Sequence, residues 1–171
     1  MKAKTFLIIS VLLIVSSSNL FGQSAKYQAT YIYNFLSHIQ WPKEYKSGDI
    51  IIGVLGTKDP VVNELQVITS EKRIGFRSII IKPYSHLGEV AKCHVLFIPS
   101  RYTAQLPLAV KKISSKSTLL ISSTAQGINT GADINFIVVN NKLGFELNAT
   151  NTTKKKIAIS SSLKRLAAKV Y

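Results

Sequence analysis

The sequence is short of the residues from which most active sites are made. Cys93 is its only cysteine, so no intrachain disulfide can form and stability must come from packing. Carboxylates number eight, against 22 lysines and arginines. No two of Glu44, Asp49, Asp59, Glu64, Glu71, Glu89, Asp133 and Glu146 are spaced as an acid and base on one helix face or strand. His38, His86 and His94 are scattered, with no HExxH and no paired cysteines, which excludes the usual metal patterns. GxSxG is missing, and with it the nucleophile elbow of the hydrolases. Gly53-Val-Leu-Gly-Thr57 lacks the third glycine of a dinucleotide fingerprint and the lysine of a P-loop, so it reads as a plain strand-to-helix turn. After Gln23 no apolar run approaches the ~20 residues that span a bilayer. A catalytic residue, a metal and a cofactor are therefore not expected, and a binding module is favoured over an enzyme.

What is present begins at the N-terminus. Lys2 and Lys4 precede an apolar run from Phe6 to Val15, and the small and polar stretch Ser16 to Gln23 comes next. That order describes a secretory signal peptide over residues 1–22, with Gly22 or Ala25 as the small residue near cleavage. The expected product is a single domain, residues 23–171, in the periplasm and not membrane-spanning. The formal charge is +14, and Lys154, Lys155, Lys156, Lys164, Arg165 and Lys169 crowd the C-terminal part. Such a face steers acidic proteins or anionic surfaces. Nucleic acid is the usual partner of a basic chain, and export argues against it.

The pattern along the chain is α/β. Tyr27, Tyr31, Ile32, Phe35, Leu36 and Ile39 predict an amphipathic helix over 26–40, ended by Trp41-Pro42. Ile50–Leu55, Ser78–Lys82, His94–Ile98 and Thr118–Ser122 read as buried strands. Asp59-Pro60 starts a helix, and Tyr102–Ile113 forms another. Ile134–Val139 and Lys142–Leu147 form a hairpin turning at Asn140-Asn141. A final helix opens near Ser160, with Ile159, Leu163, Leu166 and Val170 on one face. The expected fold is a mainly parallel sheet flanked by helices, with a C-terminal antiparallel hairpin and terminal helix. Trp41 and Pro42 are expected to anchor the first helix. Cys93 is expected to be a buried, inert thiol facing away from His94, because neighbours on a strand point to opposite faces. Asp133, in the glycine-flanked turn Gly131-Ala-Asp133, reads as an ordinary turn residue.

Three blocks in this order resemble the YfiR family of bacterial periplasmic regulators. They are Tyr31-Ile-Tyr-Asn-Phe-Leu-Ser-His-Ile-Gln-Trp-Pro42; Ile51-Ile-Gly-Val-Leu-Gly56 with Cys93-His-Val-Leu-Phe-Ile98; and Gly131-Ala-Asp-Ile-Asn-Phe136 through Phe145-Glu-Leu-Asn148 to Ile159-Ser-Ser-Ser-Leu-Lys-Arg-Leu-Ala167. The resemblance implies a non-enzymatic inhibitor of an inner-membrane signalling protein. The target type is the periplasmic domain of a diguanylate cyclase or sensor kinase, and an outer-membrane lipoprotein sequesters the regulator. Its outputs are cyclic di-GMP and biofilm formation. Better-known members carry several cysteines; here Ile128 and Asn135 stand where a second bridge would be expected, so intrachain redox control is excluded.

The resemblance also places the partner-binding face on the hairpin and the segment after it, at Ile134, Phe145, Glu146 and Asn148, with Lys154 to Lys156 nearby in sequence. Glu146 has a competing role, pairing with Lys142 or Lys164. The alternative function is a periplasmic small-ligand-binding protein feeding a sensor or transporter. The choice between monomer and homodimer stays open.

Overall fold

The computed structural model describes residues 24–171; the signal peptide expected over 1–22 lies outside them. The first helix, α1, spans 24–36. After it come β1 (Ile39–Gln40), a 3-10 turn at Lys43–Tyr45, β2 (Ile50–Leu55), α2 (Pro60–Thr69), β3 (Arg73–Ile74) and β4 (Arg77–Tyr84). Next are β5 (Val95–Ile98), a 3-10 segment Ser100–Gln105, α3 (Leu106–Ile113), β6 (Leu119–Ser122), α4 (Gly127–Thr130), β7 (Ile134–Val139) and β8 (Lys142–Leu147). The chain then forms α5 (Ala149–Lys154), β9 (Ala158–Ile159), α6 (Ser161–Leu166) and β10 (Lys169–Val170).

An eight-stranded sheet runs in the order β10-β8-β7-β6-β5-β2-β4-β3. Its centre is parallel, β4-β2-β5-β6-β7. The hairpin β7–β8 and the short pair β3–β4 are antiparallel, and β10 joins the outer side of β8 in parallel. β2 and β5, in the middle of the sheet, are apolar from end to end because both faces are covered. Val95 and Phe97 face α1, α2 and α6, while Leu96 and Ile98 face α3. Burying so much branched apolar surface is the main stabilising term, at roughly 25 cal/mol per Å² removed from water.

Local chemistry explains most boundaries. Asp59 Oδ1 accepts the Val61 N–H and caps α2, with Pro60 in its first turn. Asn140 and Asn141 have φ of 49° and 61°, the left-handed pair that a two-residue hairpin turn requires. Three expectations need correction. The first helix stops at residue 36, and Ile39–Gln40 instead pairs antiparallel with Ala158–Ile159. Tyr102 leaves helical geometry, so the segment expected as one helix is a 3-10 stretch that leads into α3. The terminal helix α6, capped by Ser160, ends at Leu166; Val170 belongs to β10, and Leu166 and Val170 are exposed. No helix among the described residues is long and apolar enough to cross a membrane.

Candidate functional site

The β7–β8 hairpin is longer than the sheet beside it. On one side β6 pairs with β7 only at Ile134 and Asn135. On the other, β10 pairs with β8 only at Glu146 and Leu147. The arm from Phe136 to Phe145 therefore projects past both neighbouring strands, a form of edge that suits strand-mediated recognition. Opposed residues of the hairpin share a face. Ile134–Leu147, Phe136–Phe145 and Val138–Leu143 form one row, and Asn135–Glu146, Ile137–Gly144 and Val139–Lys142 the other.

The first row explains both the core and the surface. Phe136 and Phe145 close on Tyr31 and Phe35 of α1, with ring centroids 5.0–6.1 Å apart. The Tyr31 hydroxyl donates to the Leu143 carbonyl at 3.3 Å, fixing the helix to the arm. One step further out that cover ends. Val138 is 74% exposed, and with Leu143, Tyr27, Tyr31 and Lys142 it lines an open groove of about 630 Å³. The core face of the hairpin thus continues into solvent as an apolar strip with a lysine at its edge.

The sequence-derived partner residues separate on this framework. Ile134 is 0% and Phe145 1% exposed, so both are core residues. Strand alternation puts them on the α1 side, where packing holds them. Asn148 caps α5, its Oδ1 accepting the Asn151 N–H at 2.9 Å. Glu146 is half-buried on the second row and accepts the Tyr171 hydroxyl at 2.9 Å; it pairs with neither Lys142 nor Lys164. The residues that reach the surface, Val138, Leu143 and Lys142, carry no motif. Only the strand period and the length of the arm pick them out.

The other residues singled out are structural in their geometry. Trp41 is buried, with Pro42 beginning the 3-10 turn that carries Tyr45. His94 lies edge-on between Trp41 and Tyr45, each ring 5.4 Å away. Its Nδ1 accepts the Ile51 N–H at 3.0 Å, which puts the ring proton on Nε2, 2.8 Å from the Tyr45 carbonyl. Burial holds the imidazole below its ordinary pKa, and the neighbouring Arg77 and Lys92 cations add to this. The ring is neutral and satisfied, a brace between β5, β2 and the 3-10 turn.

Cys93 points to the opposite side, among Leu55, Leu96, Ala109, Ile113 and Leu120. Burial pushes its thiol up to about 11. Cys93→Ala should cost only about 1 kcal/mol, the loss of one small buried group. A thiol reagent at neutral pH should label the folded chain only after denaturant is added; rapid labelling of the native chain would show the thiol to be accessible.

Gly56, at the strand-to-helix turn, has φ of +102° and is covered by the Tyr102 ring, so the turn is closed by a side chain. No group of three or more metal-ligating side chains occurs among the described residues. Asp133 is more than a turn residue. It is fully buried, and its Oδ2 takes the Lys155 ammonium at 2.6 Å and the Leu120 N–H at 2.7 Å. Nothing in a run of three lysines marks the middle one as its partner.

A family model described as YfiR/HmsC-like matches residues 25–168. The chain belongs to the YfiR/HmsC-like family. The match covers nearly all of the described domain, from α1 to the approach to β10. No curated protein matches the chain. YfiR-like members are regulatory rather than catalytic. In this YfiR/HmsC-like chain the outer part of the projecting arm, at Val138, is left exposed by the packing.

Proposed function

We propose that this chain is a periplasmic regulator that binds and inhibits the periplasmic sensor domain of an inner-membrane signalling protein, of the diguanylate cyclase type. Family membership over residues 25–168 is the observation that carries this reading. A sensor kinase with a similar periplasmic domain is the other target type, and an outer-membrane lipoprotein is the proposed antagonist. The contact face we assign is the outer half of the hairpin, Val138, Leu143 and Lys142, together with Tyr27 and the nearby Glu146.

Three features support that assignment. Val138 and Leu143 offer an apolar centre and Lys142 a charged edge, the composition of a modest interface. Both long edges of the arm beyond Asn135 and Glu146 lack a neighbouring strand. The basic surface, formally +14 over the whole chain, speeds encounter with an acidic domain and makes binding salt-sensitive, as release requires.

A photo-crosslinking residue at Lys142, in the exported chain in living cells, should give an adduct with an inner-membrane protein. Val138→Asp should reduce that adduct at least fivefold while leaving stability within about 0.5 kcal/mol, because Val138 is exposed. An adduct of undiminished yield would remove the hairpin from the interface.

A further inference from the structure

A second concave surface lies away from the hairpin, at the end of the sheet where the parallel strands begin. It is lined by Ser114, Ser115, Lys116 and Ser117 after α3, by Lys154, Lys155 and Lys156 at the end of α5, and by Glu44 and Tyr45. Its volume is about 340 Å³. Two segments distant in sequence thus bring four lysines and three serines to one concavity, with one carboxylate on its exposed edge.

The fold uses only part of this set. Lys155 is committed to Asp133 and also reaches the Thr118 carbonyl. The Ser114 hydroxyl donates to the Lys111 carbonyl. Among the described residues, Lys116, Lys154 and Lys156 make no ion pair, and the Ser115 and Ser117 hydroxyls make no hydrogen bond. Another lysine, Lys92, packs over the Tyr45 ring and donates to the Glu44 carbonyl at the same edge. Lys156 is held at φ of +58°, an uncommon conformation for a side-chain-bearing residue, directly after Lys155 is tied down. Like charges gathered this closely repel, and that repulsion is relieved by an anion.

We propose that this pocket binds a phosphate monoester, with Lys116, Lys154 and Lys156 supplying charge and Ser115 and Ser117 supplying hydroxyl donors. The donor set matches a group with three terminal oxygens and a charge near −2 at neutral pH. Lysine binds such a group as a point charge and needs no bidentate geometry. The volume admits the phosphate with a sugar-sized substituent. A soluble phosphorylated metabolite and a phosphate-bearing lipid headgroup share this chemistry. The site is independent of the hairpin and stands whether or not the arm binds a signalling protein.

The test is a titration of the ¹⁵N-labelled chain with glucose 6-phosphate, and co-sedimentation with phosphatidylcholine vesicles with and without phosphatidic acid. Amide shifts should concentrate at residues 114–117 and 154–156 in the soluble arm if the ligand is a free monoester; sedimentation only with phosphatidic acid assigns it to a headgroup. In whichever arm binds, Lys116→Ala/Lys154→Ala should weaken binding at least tenfold. The charge-matched Lys58→Ala/Lys72→Ala should stay within about twofold of the parent, both residues being exposed elsewhere. No binding in either arm overturns the proposal. Equal loss in the two double variants, or shifts spread over the whole basic surface, overturns it equally. The shift pattern of the parent chain decides the matter even if the pocket variant folds poorly.

Discussion

Lys155→Met should cost the fold about 3–5 kcal/mol near neutral pH, the usual result of removing one partner from a buried ion pair. The Lys155 side chain is only 11% exposed, and its ammonium lies 2.6 Å from the Oδ2 atom of Asp133, which is fully buried. The other carboxylate oxygen has no hydrogen-bond partner among the described residues. Burial raises the Asp133 pKa, and the Lys155 charge and the Leu120 N–H pull it back in part. Without the lysine only the Leu120 N–H still opposes the effect of burial, and the carboxyl becomes harder still to ionise.

The loss should depend on pH with a definite sign. A folded-state pKa above the unfolded value means the folded chain binds the proton more tightly. The stability from this group is therefore greatest below the unfolded value and is lost as pH rises through the folded one. The variant has the higher folded value, so its deficit should shrink as pH falls towards about 4 and Asp133 takes up a proton. Urea melts at neutral and acid pH measure this. A loss under about 1 kcal/mol at neutral pH, or a loss that does not change with pH, would show that the pair is not buried and coupled as described. Lys155→Met/Asp133→Leu should recover only part of the stability, because it removes the stranded charge but leaves the buried Leu120 N–H without its acceptor.

Trp41→Ala should be as damaging, at about 3–5 kcal/mol. The indole is 5% exposed and meets the His94 ring edge-on at 5.4 Å and 78°. It belongs to the core cluster that also holds Ile39, Tyr45 and Ile50. Removing it opens a cavity where β1, the 3-10 turn and the start of β2 converge. It also strips one wall from the neutral His94 brace. Trp41→Phe should cost distinctly less, since it keeps most of the volume. A denaturant midpoint unchanged by Trp41→Ala would place the ring at the surface.

The parts of the fold legible in the sequence are those decided locally. Ile50–Leu55 is a branched apolar run, and Asn140-Asn141 admits the left-handed turn, so β2 and the hairpin have their expected bounds. Asp59-Pro60 likewise places the start of α2. The elements that differ from expectation are set by distant partners. Ile39 fits the helical stripe of α1, yet it pairs with Ile159, far along the chain. Ala149–Lys154 has no apolar period and becomes a helix because Asn148 caps it and Thr152 is buried against the domain. Val170 has helical spacing from Leu166, but β8 offers it an edge and it becomes a strand.

The candidate site shows the same division. The motif around Phe145 is visible in the sequence, but its most apolar members are the ones the core consumes. Alternation alone puts Val138 in the row of Ile134 and Phe136. That Val138 stays exposed depends on how α1 packs against the arm, which no local pattern encodes. The lysine pocket is harder still to see, because Ser114–Ser117 and Lys154–Lys156 lie far apart in sequence and meet only when α3 and α5 dock at the same end of the sheet.

The most direct test of the regulatory account is the cellular level of cyclic di-GMP in a strain lacking this chain. The account predicts that the level rises on deletion, returns to normal when the exported parent chain is supplied, and stays high with the folded Val138→Asp variant at equal abundance. A level indifferent to deletion, or restored equally by Val138→Asp, would contradict it.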